Sequence, residues 1–153
     1  VVTPALGAAR AVVEALGARV RAALGVPGPV GDHVDALVLA SAGSSQPSAR
    51  AEVDEVAAML GEQERVPVST AYLSGPGTDL TAACATHRAD GRSRLAVATH
   101  LLAPGVFLDR ARLVAAECDV LGVGAELGTH PAVSTLVAAR YTAARTTQVP
   151  EES

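Results

Sequence analysis

The stretch LVLASAGSSQPSARAEVDEV, residues 37–56, runs from an apolar segment through a turn of small residues into a segment of helical period. Read with the residues before it, VDALVLA (34–40) is a buried strand: short, rich in Val and Leu, and set behind the Pro/Gly break GVPGPVGD (25–32). After the turn, Val53, Val56, Ala57 and Leu60 recur three and four residues apart, which lays one apolar stripe along a helix. A strand passing directly into a helix is the opening of a βαβ unit. In sheets built from such units, ligands collect at the carboxyl ends of the strands, where this turn lies.

The alternation continues to the end of the chain. RVPVSTAYL (65–73) reads as a second strand, SGPG (74–77) as a turn, and TDLTAACATHRADG (78–91) as a helix capped by Thr78 and ended by Gly91. Leu80, Ala83, Cys84 and His87 share one face of that helix, so His87 is expected to be half-buried. RLAVATHLL (94–102) gives a third strand, LDRARLVAAE (108–117) a short helix and CDVLGVGAEL (118–127) a fourth strand. HPAVSTLVAARYTAA (130–144) gives a final helix with Pro131 in its first turn. Helices long enough for crossovers between strands imply an α/β fold with a doubly wound parallel sheet of about four strands.

At 153 residues the chain suits one domain with a core that needs no disulfide staples. The net charge is −4 and every cation is Arg, with no basic stripe, which argues against a nucleic-acid partner. No apolar run reaches the roughly 18 residues needed to span a bilayer, and no leader pattern is present. Cys84 and Cys118 lack C-x-x-C spacing and are expected to be reduced core or near-core residues of a cytoplasmic protein, with a disulfide or metal pair as the alternative. Opening on Val1 rather than Met, the chain is expected to be a fragment or trimmed.

The two ends of the chain resemble each other. Leu6-Gly7, Ala11-Val12 and Ala18-Arg19 match Leu127-Gly128, Ala132-Val133 and Ala139-Arg140 at a single offset. The pattern of strand end, Leu-Gly and helix thus occurs twice, as in a duplicated protein. On that reading residues 1–25 are the last strand and helix of a preceding half, and 34–145 form a complete second half.

Four segments in order, LVLASAGSSQPSARAEV, VPVSTAYLSGPGTDLTAA, RLAVATHLLAPGVFLDR and AELGTHPAVSTLVAARY, resemble the class II chelatases that act on sirohydrochlorin, the CbiX-type family. The resemblance implies a flavodoxin-like half of a two-half protein that encloses a cleft. It divides the chain into a terminal strand, helix and linker (1–30), a chelatase-like domain (31–145) and a polar tail (146–153). Such an enzyme is a lyase that inserts cobalt or ferrous iron into a tetrapyrrole for cobalamin or siroheme synthesis. The metal is a substrate, and no tightly bound cofactor is expected.

Imidazole suits this chemistry because it binds these metals and titrates near neutral pH. The family places one histidine in an HGS turn after the first strand and another in a G-x-H turn after the third. Here the first turn reads Ser41-Ala42-Gly43-Ser44, with Ala42 at the histidine position, and the second reads Gly105-Val106-Phe107, with Phe107 there. By resemblance, the chain is a degenerate half whose turns wall the tetrapyrrole cleft, with Ser41, Ala42, Gly43, Ser44, Ser45, Gly105, Phe107 and His130 against the substrate. The plainer reading of the first turn is a Gly/Ser connection that caps its helix. A phosphate cradle is disfavoured, since neither G-x-x-x-x-G-K-[ST] nor G-x-G-x-x-G is present.

His100, at the end of the third strand, and His130, at the start of the last helix, are the remaining candidates for a substitute metal or base site. A metal usually needs three or more ligands, which weighs against that site, and His130 also suits a turn-and-cap role. His33 falls in the linker and is expected to be solvated, while Asp109 suits the start of a helix. Arg140 and its counterpart Arg19 point to a shared structural role. Phe107 is one of three aromatic rings in the chain and the one placed to meet a macrocycle. Two classes of function remain: a chelatase, or a non-catalytic tetrapyrrole-binding half that completes a partner half in cis or self-associates. A flavodoxin-like nucleotide binder shares the architecture but lacks rings to sandwich a flavin.

Overall fold

The structure, a computed structural model, describes residues 10–128 and 130–147. The terminal strand expected before residue 10, the last residues of the polar tail and the side chain of Arg140 lie outside the described residues. The elements in chain order are α1 (Arg10–Leu24), a 3-10 turn (Val30–Asp32), β1 (Ala36–Ser41), α2 (Pro47–Glu64), β2 (Val68–Tyr72), α3 (Leu80–Ala89), β3 (Leu95–His100), α4 (Val106–Glu117) and α5 (Pro131–Thr147).

The sheet is parallel, in the order β2-β1-β3, with β1 at its centre. Both faces of β1 are buried, which explains its near-continuous apolar run. Alternation along the strand sends Leu37 and Leu39 into one core with α1, α2 and the start of α5. Ala36, Val38 and Ala40 enter a second core with α3 and α4. This is the doubly wound α/β arrangement anticipated from the alternation.

The expected fourth strand is reduced to a parallel bridge between Val97 and Val123. Residues 121–128 still run beside β3: Leu121 N donates to Leu95 O (2.7 Å), Gly124 N to Val97 O (2.8 Å) and Leu127 N to Leu101 O (2.8 Å). Gly122 and Gly124 account for the irregularity. A Cβ on Gly124 would lie 3.1 Å from the Val20 side chain, and one on Gly122 3.0 Å from that of Leu24. Glycines here let α1 press onto the segment, and glycine inside a strand weakens its regularity.

α1 contributes Val12, Val13, Ala15, Leu16 and Val20 to the same core as β1 and α2. Glu64, 1 % exposed, fastens this corner: it accepts the Val30 amide (3.0 Å) and the Gln63 side-chain amide (2.9 Å), and lies 3.4 Å from Arg21 Nε. Arg19 donates to Leu127 O (3.3 Å), tying α1 to the segment before α5. Arg19 thus has a structural role, while the counterpart expected of Arg140 lies outside the described residues.

Two local details differ from the sequence reading. The cap of α3 is Asp79 rather than Thr78: its carboxylate accepts the Ala82 amide at 2.8 Å. His87 is buried rather than half-buried, because Ser69 and Arg92 give both its ring nitrogens partners. Cys84 and Cys118 are free thiols, and burial, followed by the neighbouring Cys118, pushes the Cys84 thiol up to about 12. Among the described residues no helix is long and apolar enough to cross a membrane.

Candidate functional site

The carboxyl ends of the three strands form a row. Ser41 ends β1 and is the register partner of Tyr72 on β2 and of His100 on β3. Alternation puts Ser41 on the face of Leu37 and Leu39, His100 on that of Ala96 and Ala98, and Tyr72 in the same core. All three therefore project on the α1/α2/α5 side of the sheet.

The first turn, Ala42 to Gln46, is held from the neighbouring turn. Leu73 N donates to Ser41 O (2.9 Å) and Ser74 Oγ to Ala42 O (2.7 Å). Gly43 sits at φ +119, and a Cβ there would run into Ser74 O. Ser44 Oγ accepts the Gln46 amide at 3.1 Å, the local role of a serine in a turn entering a helix, and Ser45 is exposed. Arg110, on α4, donates to Leu73 O at 2.8 Å, so the three strand-end loops are cross-braced. Ser74 and Arg110 escaped the sequence reading because their partners are 32 and 37 residues away.

The second turn is an apolar lip. Gly105 precedes α4, and Leu102, Val106 and Phe107 are all exposed, Phe107 to 39 %. Asp109 is exposed in the first turn of α4, where its charge complements the helix dipole. The turns at Ala42 and Phe107 thus offer backbone, hydroxyls and apolar surface.

His100 is the unusual member of the row. Its Nδ1 is buried without a hydrogen-bond partner among the described residues, and burial holds the imidazole below its ordinary pKa. A neutral imidazole retains a lone pair for a proton or a metal. His130 is engaged differently: its Nδ1 accepts the Ala132 amide at 3.2 Å, so it caps α5. His33 is exposed in the linker. Among the described residues no three His, Cys, Asp or Glu side chains are grouped to hold a metal ion, so His100 and His130 are not joined by a third ligand.

Two concavities flank the edge strand β2, between α2 and α3. One, of about 500 Å³, holds Ser69 and His87, whose Oγ and Nε2 are 2.8 Å apart. The polarity is wrong for a nucleophilic serine. Arg92 has no acceptor to offer, so His87 Nδ1 accepts from it (3.2 Å) and Nε2 carries the proton toward Ser69. Burial and the Arg92 charge hold that imidazole neutral. The other, of about 360 Å³, lies at the carboxyl end of the sheet beside Tyr72.

Residues 36–144 match the CbiX family. The chain belongs to it. No curated protein sequence matches the chain. Among solved structures this CbiX chain is similar to SirB from Bacillus subtilis with Fe3+, at TM-score 0.76 and 23% identity over 92% of this chain and 56% of that one. A second is the sirohydrochlorin chelatase SirB from Bacillus subtilis subspecies spizizenii in complex with cobalt, at TM-score 0.63 and 19% identity, over 90% of this chain and 51% of that one. A CbiX protein from Marinobacter aquaeolei VT8 matches at TM-score 0.60 and 14% identity, over 73% of this chain and 97% of that one. The chain spans about half the length of the two SirB structures. At these identities the likenesses establish the fold, a chelatase-like α/β fold.

Proposed function

We propose that the chain forms one wall of the tetrapyrrole cleft of a sirohydrochlorin chelatase and binds the macrocycle without itself carrying the usual metal-handling histidines. The observation that carries this reading is the carboxyl edge of a CbiX-family sheet on which the two turns bear Ala42 and Phe107. Ser41, Gly43, Ser44, Ser45 and Gly105 present small groups and amides to one side of a flat ligand. Phe107, with Leu102 and Val106, offers the apolar surface against which a macrocycle face packs.

Insertion of cobalt or ferrous iron requires removal of two protons from the inner nitrogens of the macrocycle and a ligand set that releases the metal. In this reading those groups come from another chelatase half in cis, since a second copy of this chain would bring the same Ala42 and Phe107, and His100 is the imidazole this chain adds at the row of strand ends. His130 serves the wall by capping α5. The compartment that suits free thiols and this chemistry is the cytoplasm. An active chelatase in its own right, using His100 as base, is the second reading, favoured by its unpartnered neutral nitrogen.

An absorbance titration of sirohydrochlorin into the chain, with and without cobalt, separates the two. Saturable binding with no gain over the spontaneous insertion rate is the expected result. Acceleration abolished by His100→Ala favours the second reading, and absence of binding overturns both.

A further inference from the structure

The cavity of about 360 Å³ beside Tyr72 opens between the first turns of α2 and the loop that follows β2, next to Ser41 in the sheet. Arg50, on α2, lines it, and Arg50 Nε is buried with no hydrogen-bond partner among the described residues. No ion pair to Arg50 occurs among them either, although Asp54 lines the same cavity one helical turn on. Asp54 is engaged elsewhere: it accepts from Thr70 Oγ1 at 3.1 Å. Tyr72 and Gly77 also line the cavity, Gly77 so close that a Cβ there would lie 2.6 Å from the Tyr72 ring. A guanidinium stays charged at any pH the protein meets and offers a planar fork of N–H donors, the geometry a carboxylate matches.

We propose that this cavity is a carboxylate subsite, in which Arg50 grips one carboxylate arm of the macrocycle while the ring lies over the strand-end row. The inference rests on the tetrapyrrole reading above. It adds a charged residue that would fix the rotational setting of a ligand whose core meets only small groups, amides and the apolar lip at the two turns. Tyr72 lines the same cavity, and burial, followed by the Asp54 charge, raises its phenol pKa, so no phenolate competes with an incoming anion there. Asp54 opposes an incoming carboxylate, so its removal is expected to help.

The test is an equilibrium titration of sirohydrochlorin into the full chain and its Arg50→Gln, Arg50→Lys, Asp54→Asn and Arg112→Gln variants at two salt concentrations. Arg112 is exposed on α4, on the other face of the sheet, and controls for net charge. Arg50→Gln is expected to weaken binding roughly tenfold and to flatten its salt dependence, the size of one charge-assisted fork lost. Arg50→Lys falls between, Asp54→Asn binds at least as well as the parent, and Arg112→Gln changes little. Thermal melting establishes that each variant is folded. Equal binding by folded Arg50→Gln, or equal loss in Arg112→Gln, overturns the subsite while leaving the cleft reading intact. If the parent chain does not bind sirohydrochlorin, the cleft reading fails and the subsite falls with it.

Discussion

Ser41 and His100 are register partners at the carboxyl ends of β1 and β3, and the His100 Nδ1 beside that junction is buried without a hydrogen-bond partner among the described residues. Burial lowers the pKa of this imidazole, so the unfolded chain takes up the proton more readily than the folded one. The stability contributed by the neutral form is therefore complete above the ordinary value of about 6.5 and declines as pH falls toward the lower folded value. His87 titrates in the same sense. In His100→Phe, the slope of urea-unfolding free energy against pH below about 6.5 is expected to be shallower than in the parent. An unchanged slope would assign the whole acid sensitivity to other groups.

Gly43 holds the first turn against Ser74. Its φ of +119 lies where L side chains strain, and a Cβ has no room there. Gly43→Ala is expected to destabilise the chain by roughly 2 to 4 kcal/mol in urea unfolding. A loss below about 0.5 kcal/mol would mean the two turns part easily.

Glu64 joins α1, the 3-10 turn and α2 from a fully buried position. Glu64→Gln replaces an acceptor with a donor that must face either the Val30 amide or the Gln63 side chain. The expected cost is about 2 to 3 kcal/mol, with the site at the opposite edge of the sheet still able to bind. Equal stability of the variant would show that the corner rests on apolar packing alone.

Asp35 sits at the amino edge, where Arg94 grips it at 2.9 and 3.2 Å and the Ser93 and Arg94 amides also donate to it. Those hydrogen bonds, the Arg94 amide first, lower its pKa to about 2. Stability from this carboxylate is present above its unfolded value of about 3.9 and is lost as pH falls to about 2. The difference in melting temperature between parent and Asp35→Asn should accordingly narrow across that window. A difference that stays constant would locate the effect in packing rather than charge.

Phe107 is 39 % exposed and anchors no core, so Phe107→Ala should leave the melting temperature within a degree or two. Sirohydrochlorin binding is expected to weaken several-fold with it, because the apolar lip loses its ring. Unaltered binding would remove Phe107 from the cleft wall.

The sequence by itself determined the strands, helices and parallel class, because strand and helix periods are local properties of the chain. RVPVSTAYL and RLAVATHLL contain the strands expected of them and VDALVLA holds all of β1 but Ser41, and the loss of histidine at 42 and 107 is visible in the residues alone. What it missed depends on contacts between distant segments. The fourth strand is irregular because α1 presses on Gly122 and Gly124, an approach that no window of sequence contains. His87 is buried rather than half-buried because Ser69, eighteen residues earlier, meets its ring. The row of Tyr72, Ser41 and His100, and the Arg50 cavity beside it, exist only once crossovers bring three strand ends into register. Tertiary structure alone decided which polar atoms found partners, and so left nitrogens of His100, Arg50 and Arg19 without one among the described residues.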